Sequence, residues 1–109
     1  MAYNPVLAQR VRDILDKRTP VQEKKLFGGI AFMHNGNMTL GVLHDDLIAR
    51  IGLEKYEAAL RQPGIELFTP TGRPMAGWIR VTPQACQTSE DLTKWIVMAL
   101  DFAKTLPAK

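Results

Sequence analysis

The sequence predicts an α+β fold with two layers, in which helices pack on one mainly antiparallel sheet. Three observations lead to this prediction. Apolar residues recur at helical spacing near the beginning, in the middle and at the end of the chain. Short apolar runs bounded by turn residues fill the stretches between these segments. The resulting order of helix, strands, helix, strands, helix lacks the regular strand–helix alternation that builds a parallel sheet.

The first predicted helix begins after Asn4, because asparagine is a strong N-cap and Pro5 is well tolerated at the first helical position. Thr19-Pro20 ends the helix, since a residue before proline is pushed out of the α region. The apolar positions at helical spacing are Leu7, Val11, Ile14 and Leu15. We therefore expect this helix to be amphipathic and to lie on an apolar surface.

Four strands are predicted after this helix. Gly28-Gly29 permits a tight turn or a bulge after the first of them. Asn35-Gly36, between two apolar runs, is the strongest short-range signal of a hairpin, because a type I′ turn needs positive φ at both central residues. Asp45-Asp46 marks the next reversal. The predicted strands comprise residues 22–27, 30–34, 37–43 and 47–51.

The two hairpin turns predict which side chains share a face of the sheet. The expected cross-strand pairs are Met33–Met38, Ala31–Leu40, Leu40–Ile51 and Val42–Ala49. Every member of this face is apolar, so this face is predicted to be the core. The opposite face is mixed and consists of Ile30, Phe32, His34, Thr39, Gly41, Leu43, Ile48 and Arg50.

A short helix, two strands and a long helix are predicted for the second half of the chain. The short helix stops at Pro63-Gly64, and Ser89 is expected to cap the long helix. The two strands comprise residues 65–69 and 75–81, and the long helix runs to Leu106-Pro107. No repeat, low-complexity tract or linker is visible, so we expect a single domain over residues 1–109.

Composition and charge restrict the class of protein. With 109 residues, of which 46% are hydrophobic and 23% are charged, the chain has the make-up of an ordinary globular domain. The N-terminus lacks the features of a signal peptide, and no apolar run approaches the roughly 20 residues that a membrane helix needs. Cys86 is the single cysteine, so no internal disulfide can form. We expect a cytoplasmic protein without a cofactor and without a membrane contact.

Several of these segments resemble a known family. Residues 25–32 (Lys-Leu-Phe-Gly-Gly-Ile-Ala-Phe), 36–38 (Gly-Asn-Met), 47–52 (Leu-Ile-Ala-Arg-Ile-Gly) and 72–78 (Gly-Arg-Pro-Met-Ala-Gly-Trp), with the helix from Asp91 to Leu106, look like the N-terminal domain of TfoX/Sxy-type competence regulators. The resemblance implies an α+β fold similar to that of type III secretion chaperones. Full-length bacterial relatives regulate genes for DNA uptake and carry a C-terminal domain. Because this sequence ends at Lys109, we expect a stand-alone member of the family. The resemblance supplies no catalytic residues.

The sequence shows no complete catalytic or metal-binding constellation. His44, Asp45 and Asp46 lie together near a reversal, and His34 flanks the preceding turn; turn formation is the favoured interpretation over a weak metal site, so we expect no bound metal. Cys86 lies shortly before the last helix, whose N-terminus could lower the pKa of the thiol, but no Cys–His signature accompanies it. An enzyme of unknown type that uses Cys86 is therefore kept as the last hypothesis.

The leading hypothesis is a non-enzymatic regulatory or protein-interaction module that binds a partner protein or a second copy of itself. Its candidate surface consists of Ile30, Phe32, Leu43, Ile48 and Arg50 on the mixed face, with Arg73 in the Gly-Arg-Pro-Met turn. The alternative is weak nucleic-acid binding, because the net charge is +3 and the pI is near 9.2. The candidate nucleic-acid contacts are Lys24, Lys25, Arg50, Arg73 and Arg80.

Overall fold

The computed structural model describes residues 3–26 and 28–108, which form three α-helices, one 3-10 helix and six strands. The helices are α1 (Pro5–Asp16), α2 (Leu53–Leu60) and α3 (Ser89–Ala103), and a 3-10 helix spans Pro83–Ala85. The strands are β1 (Gln22–Leu26), β2 (Gly29–His34), β3 (Asn37–Leu43), β4 (Asp46–Arg50), β5 (Ile65–Leu67) and β6 (Trp78–Val81). Phe27, the predicted last residue of the first strand, lies outside the described residues.

The six strands form one sheet in the order β1-β2-β3-β4-β6-β5, and every neighbouring pair is antiparallel. Strands β1 to β4 follow one another as a meander, whereas β6 lies between β4 and β5. Strands β1 and β5 form the two edges. The sheet and its helices make the α+β fold that the sequence predicts.

All three helices contribute to one apolar core on the same face of the sheet. Helix α1 begins where it is predicted, because the Asn4 side chain accepts hydrogen bonds from the backbone N–H groups of Val6 (2.9 Å) and Leu7 (3.2 Å). The helices bury Leu7, Val11, Leu15, Ala59, Leu92, Trp95, Ile96 and Leu100 against Ile30, Phe32, Leu40, Val42, Leu47, Ala49, Ile79 and Val81 of the sheet. Burial of one large side chain of this kind contributes about 1.5–3 kcal/mol, so this layer dominates the stability of the fold.

A β-bulge between β2 and β3 changes the predicted register. The observed pairs are Met33–Met38, Phe32–Leu40, Ala31–Gly41 and Ile30–Val42. The Asn35-Gly36 turn gives the first of these pairs as predicted, but Thr39 is then an extra residue in β3. Beyond the bulge, each residue of β2 pairs one position away from its predicted neighbour. The prediction that Ala31 opposes Leu40 was wrong for this reason.

The bulge reverses the two faces of β2. Ile30 and Phe32 were predicted on the mixed outer face, but their side chains are 5% and 0% exposed and lie in the core. Ala31, Met33 and Met38 were predicted in the core, but they lie on the opposite face. A one-residue slip exchanges the faces because successive side chains of a strand alternate.

The reversal between β3 and β4 lies one residue earlier than predicted. Leu43 pairs with Asp46, so His44 and Asp45 form the two-residue loop, and His44 has φ +55°. The observed pairs are Val42–Leu47, Gly41–Ile48 and Leu40–Ala49, which differ by two residues from the predicted ones. A shift of two residues leaves each side chain of β4 on its predicted face.

Two further predicted boundaries differ from the structure. Thr88, and not Ser89, is the N-cap of α3, since its hydroxyl accepts a hydrogen bond from the N–H of Asp91 at 3.0 Å. Strand β6 begins only at Trp78, because the preceding backbone forms turns: the Met75 N–H donates to the Phe68 carbonyl at 3.0 Å, and the Trp78 N–H to the Met75 carbonyl at 3.1 Å. No helix among the described residues has the length and apolar character to cross a bilayer.

Candidate interaction surface

The sheet face opposite the helices, called the open face below, carries a row of side chains across all six strands. Successive cross-strand neighbours in this row are Lys24, Ala31, Gly41, Ile48, Arg80 and Glu66. The ends of the row are charged, and its centre is small and apolar. The buried residues of the described helices belong to the core on the other face, so no described helix covers this row.

The small residues in the centre of the row form a shallow trough. A Cβ atom on Gly41 would lie 3.0 Å from the Met38 Cε atom and 3.2 Å from the Ile30 carbonyl oxygen, so a larger residue here would require these neighbours to shift by a few tenths of an ångström. Leu43, Ile48 and Phe68 line the trough, which is a cavity of about 30 Å³ that is partly open to solvent. A volume of this size holds about one water molecule or a group of similar size.

Arg50 lies on the open face close to two aromatic rings. Its guanidinium carbon is 5.5 Å from the centre of the Trp78 ring and 5.4 Å from the centre of the Phe102 ring, within the range of a cation–π interaction. Arg50 and Trp78 are direct neighbours across β4 and β6. Within the described residues, the guanidinium makes no hydrogen bond and no ion pair. We call Arg50, Trp78 and Phe102 the arginine–aromatic cluster.

Backbone contacts at the end of β4 position this cluster. The carbonyl oxygen of Gly77 accepts hydrogen bonds from the N–H groups of Ile51 (2.8 Å) and Gly52 (3.1 Å). These bonds hold the start of β6 against the end of β4, where Trp78 faces Arg50. A Cβ atom on Gly52 would lie 2.5 Å from the Phe102 ring, so glycine at this position lets α3 bring Phe102 close to the sheet.

Some basic side chains of the open face form ion pairs with carboxylates, and others do not. Arg80 forms ion pairs with Asp46, at 3.3 Å between Nη1 and Oδ2, and with Glu66. Lys24 is exposed on the edge strand and Arg50 is partly exposed in the cluster. Among the described basic residues of this face, Arg50 and Lys24 are the ones without a carboxylate partner.

Residues 13–103 of the 109-residue chain match the TfoX N-terminal domain. The chain belongs to the TfoX N-terminal domain family. No curated protein and no solved structure matches it significantly. The resemblance seen in the Gly-Arg-Pro-Met-Ala-Gly-Trp segment and the other motifs is thereby confirmed.

In this TfoX N-terminal domain, the segment 72–78 forms the turn that leads into β6. Gly77 makes the backbone contacts to β4, and Trp78 enters the arginine–aromatic cluster. Arg73 lies at the exposed part of this turn, away from a regular element. The motif therefore contributes to the open face through its two last residues.

Four of the six residues predicted for the interaction surface lie on the open face or in the turn beside it, and three of the four are at least partly exposed. Leu43, Ile48 and Arg50 lie on the open face, and Arg73 is exposed in the neighbouring turn. Ile48 is only 2% exposed, so it supports the surface rather than forming its outer layer. Ile30 and Phe32 lie in the core and are removed from the predicted surface because of the bulge.

The basic residues predicted for nucleic-acid contact do not share one environment. The side chains of Lys24, Arg50 and Arg80 lie on the open face, but Arg80 is neutralised by its two carboxylates. Lys25 is the neighbour of Ile30 and therefore lies on the helical side of the sheet. Arg73 is exposed in the β5–β6 connection.

Cys86 lies in an environment that stabilises the thiol over the thiolate. It is 2% exposed, and its Sγ donates a hydrogen bond to the Thr82 carbonyl at 3.4 Å. Burial raises the pKa of Cys86, and this outweighs the opposite effect of the Arg10 guanidinium. Arg10 itself donates to the backbone carbonyl of Cys86 at 3.0 Å. The groove beside Cys86 is lined by Asn4, Val6, Leu7, Arg10, Asp45, Pro83 and Gln87.

The histidines lie at turns. His44 is exposed in the β3–β4 loop beside Asp45, and His34 ends β2, where its Nε2 atom is 3.3 Å from the side-chain Nδ2 atom of Asn35. Among residues 3–26 and 28–108, no three His, Cys, Asp or Glu side chains converge in a way that could hold a metal ion.

Sequence reasoning missed Met33, Met38, Phe68 and Trp78 of the open face, and it also missed Phe102 of α3, whose ring lies beside Arg50. The methionines were assigned to the core because the bulge was not predicted. A signal for the correct faces was present, since bulky Ile30 and Phe32 alternate with small Gly29 and Ala31. Nothing local links Phe102 to Arg50, because the contact joins residues from α3 and β4.

Proposed function

We propose that this TfoX N-terminal domain is a non-enzymatic, cytoplasmic regulatory module that binds a protein partner, or a second copy of itself, through the open face. The observation that supports this function best is the one-sided cover of the sheet. All three helices pack on one face, while Met33, Met38 and Leu43 remain partly exposed on the other. Contiguous apolar surface bordered by charge is typical of protein contact sites.

The other two hypotheses have less support. A nucleophilic cysteine needs an accessible thiolate, whereas Cys86 is buried and its pKa is raised. Nucleic-acid binding needs several uncompensated cations on one surface. The carboxylates of Asp46 and Glu66 lie on the open face and oppose a polyanion there.

Substitution of Leu43 by lysine tests the proposed surface. Leu43 is partly exposed and faces Asp46 across the strands, so Leu43→Lys should fold with a favourable charge pair while placing a cation in the apolar patch. We expect this change to weaken partner binding or self-association by roughly tenfold or more. Light scattering after size exclusion measures self-association, and affinity capture followed by calorimetry with the purified partner measures hetero-association.

Val6→Lys is the matched control, because Val6 is 68% exposed on α1, on the helical side of the sheet. The control should bind like the unchanged protein, and both variants should keep the thermal transition by circular dichroism. Equal association of the unchanged protein and both variants would contradict the proposal. The same conclusion would follow if the unchanged protein stayed monomeric and formed no stoichiometric protein complex.

A further inference from the structure

We propose that Arg50 is the anchor of the open face and that it binds a carboxylate on an extended segment of a partner protein. The inference rests on the proposed function and adds the chemistry of the partner to it. Three features of the open face support it: the restricted position of the guanidinium, the charges around it, and the distance to the apolar trough.

Two aromatic rings restrict the position of the Arg50 guanidinium in the unbound protein. Trp78 and Phe102 both lie within 5.5 Å of its central carbon, and no described acceptor uses its N–H groups. A guanidinium offers five donors in a planar arrangement that matches a carboxylate with two parallel hydrogen bonds. Because the side chain is already ordered by the rings, binding loses less conformational entropy than it would for a free arginine.

The charges of the open face favour a single carboxylate over a polyphosphate chain. Lys24, the other basic side chain of this face without a carboxylate partner, lies on β1, three strand spacings from β4 and so about 14 Å away. Asp46 and Glu66 together outweigh Arg80, the cation that they both bind, so this group keeps a net negative charge on the same face. A nucleic acid would meet this repulsion along its length, whereas one carboxylate on an otherwise uncharged segment would not.

The distance between the trough and Arg50 predicts how far apart two recognised side chains lie in the bound segment. Ile48 lines the trough and lies two residues before Arg50 on the same strand, which corresponds to about 7 Å. In an extended peptide, residues i and i+2 lie on one side at the same spacing. A cavity of about 30 Å³ admits the tip of one side chain. The occupant is therefore an extended segment with an apolar residue two positions from an acidic one.

A double-mutant cycle between protein and peptide tests this assignment. The probes are acetyl-Val-Val-Thr-Glu-Val-amide, whose second valine offers a methyl group to the cavity, and the same peptide with glutamine in place of glutamate, titrated into the unchanged protein and into Arg50→Gln. The readout is the NMR signal of the Arg50 Nε–H group and of the Trp78 indole N–H. In the unchanged protein, we expect the glutamate peptide to bind at least about tenfold more tightly than the glutamine peptide. In Arg50→Gln the two peptides should bind alike.

Three results would overturn the assignment. They are equal binding of both peptides to the unchanged protein, a preference for glutamate that persists in Arg50→Gln, and no shift of the Arg50 signal up to about 10 mM peptide. A twelve-residue oligothymidylate that shifts the Arg50 signal at lower concentration, with strong salt dependence, would assign the site to phosphate instead. If Leu43→Lys still abolished partner binding while the peptide cycle failed, the contact surface would stand and only its anchor would be wrong.

Discussion

Gly52 combines an unusual backbone conformation with a close approach of another side chain. Its φ of +85° and ψ of 165° lie in a region that is almost restricted to glycine. A Cβ atom would also lie 2.5 Å from the Phe102 ring. The centre of the same ring lies 5.4 Å from the guanidinium carbon of Arg50. The residue therefore links the end of β4 to the arginine–aromatic cluster.

Gly52→Ala should be more destabilising than Gly72→Ala. Gly72 has a similar φ of +84°, but no atom lies within 4 Å of a Cβ built there. We expect about 1–2 kcal/mol of backbone strain at Gly72 and a further 1–3 kcal/mol, roughly, at Gly52 from the contact with Phe102. Chemical denaturation of both variants measures the difference. Equal free energies of unfolding would show that Phe102 does not pack against Gly52.

Arg50 itself could be identified from the sequence as a candidate contact, but its environment could not. The turn signals placed Arg50 on the outer face of the sheet, and this face is correct because the register error in β4 was an even number of residues. The two rings that hold its guanidinium come from β6 and α3. Contacts between distant segments leave no local pattern, so the geometry that makes Arg50 an anchor required the structure.

At the scale of elements, strand β2 explains where the sequence prediction failed. Residues 30–33 are all apolar, so alternation of polar and apolar residues does not show which side faces the helices. Packing of Ile30 and Phe32 against the helices removes more apolar area from water than packing of Ala31 and Met33 there would, and the extra residue Thr39 allows it. A bulge of this kind depends on how the helices pack on the sheet. The residues of a turn carry no information about that packing.

The contact between α1 and β1 predicts a pH dependence of stability. Arg12 donates two hydrogen bonds to Glu23, from Nε at 2.6 Å and from Nη2 at 2.8 Å. These bonds lower the pKa of Glu23 below its ordinary value of 4.5. The pair therefore stabilises the fold at pH values above the unfolded pKa, and this contribution is lost as the pH falls through the lower pKa of the folded state.

Glu23→Gln should lower the free energy of unfolding at pH 7 by no more than about 1 kcal/mol, because the pair is partly exposed and screened by solvent. The difference from the unchanged protein should shrink as the pH falls through the lowered pKa of Glu23 in the folded state, because both proteins then carry a neutral group. Urea denaturation across this range measures it. Glu57→Gln, at an exposed position of α2, serves as the control and should show no such trend. A difference for Glu23→Gln that does not change with pH would contradict the role of the pair.

For the whole molecule, the class of fold and most elements followed from local signals. The cap at Asn4, the Asn35-Gly36 turn and the apolar stripe of α3 are local, and each forms as predicted. The insertion of β6 between β4 and β5 was not predicted, since strand order is decided by packing across the sheet. The family likewise followed from short motifs that the match to the TfoX N-terminal domain confirms.

The central claim is that the open face presents the apolar side chains of Met33, Met38 and Leu43, while Ile30 is turned towards the helices. Methyl NMR with a soluble paramagnetic cosolute measures this arrangement directly, because signals of accessible methyl groups are attenuated. We predict strong attenuation for both methionines and for Leu43, and protection of Ile30. Attenuation of Ile30 with protection of Met33 and Met38 would show a register without the bulge and would contradict the account of this surface.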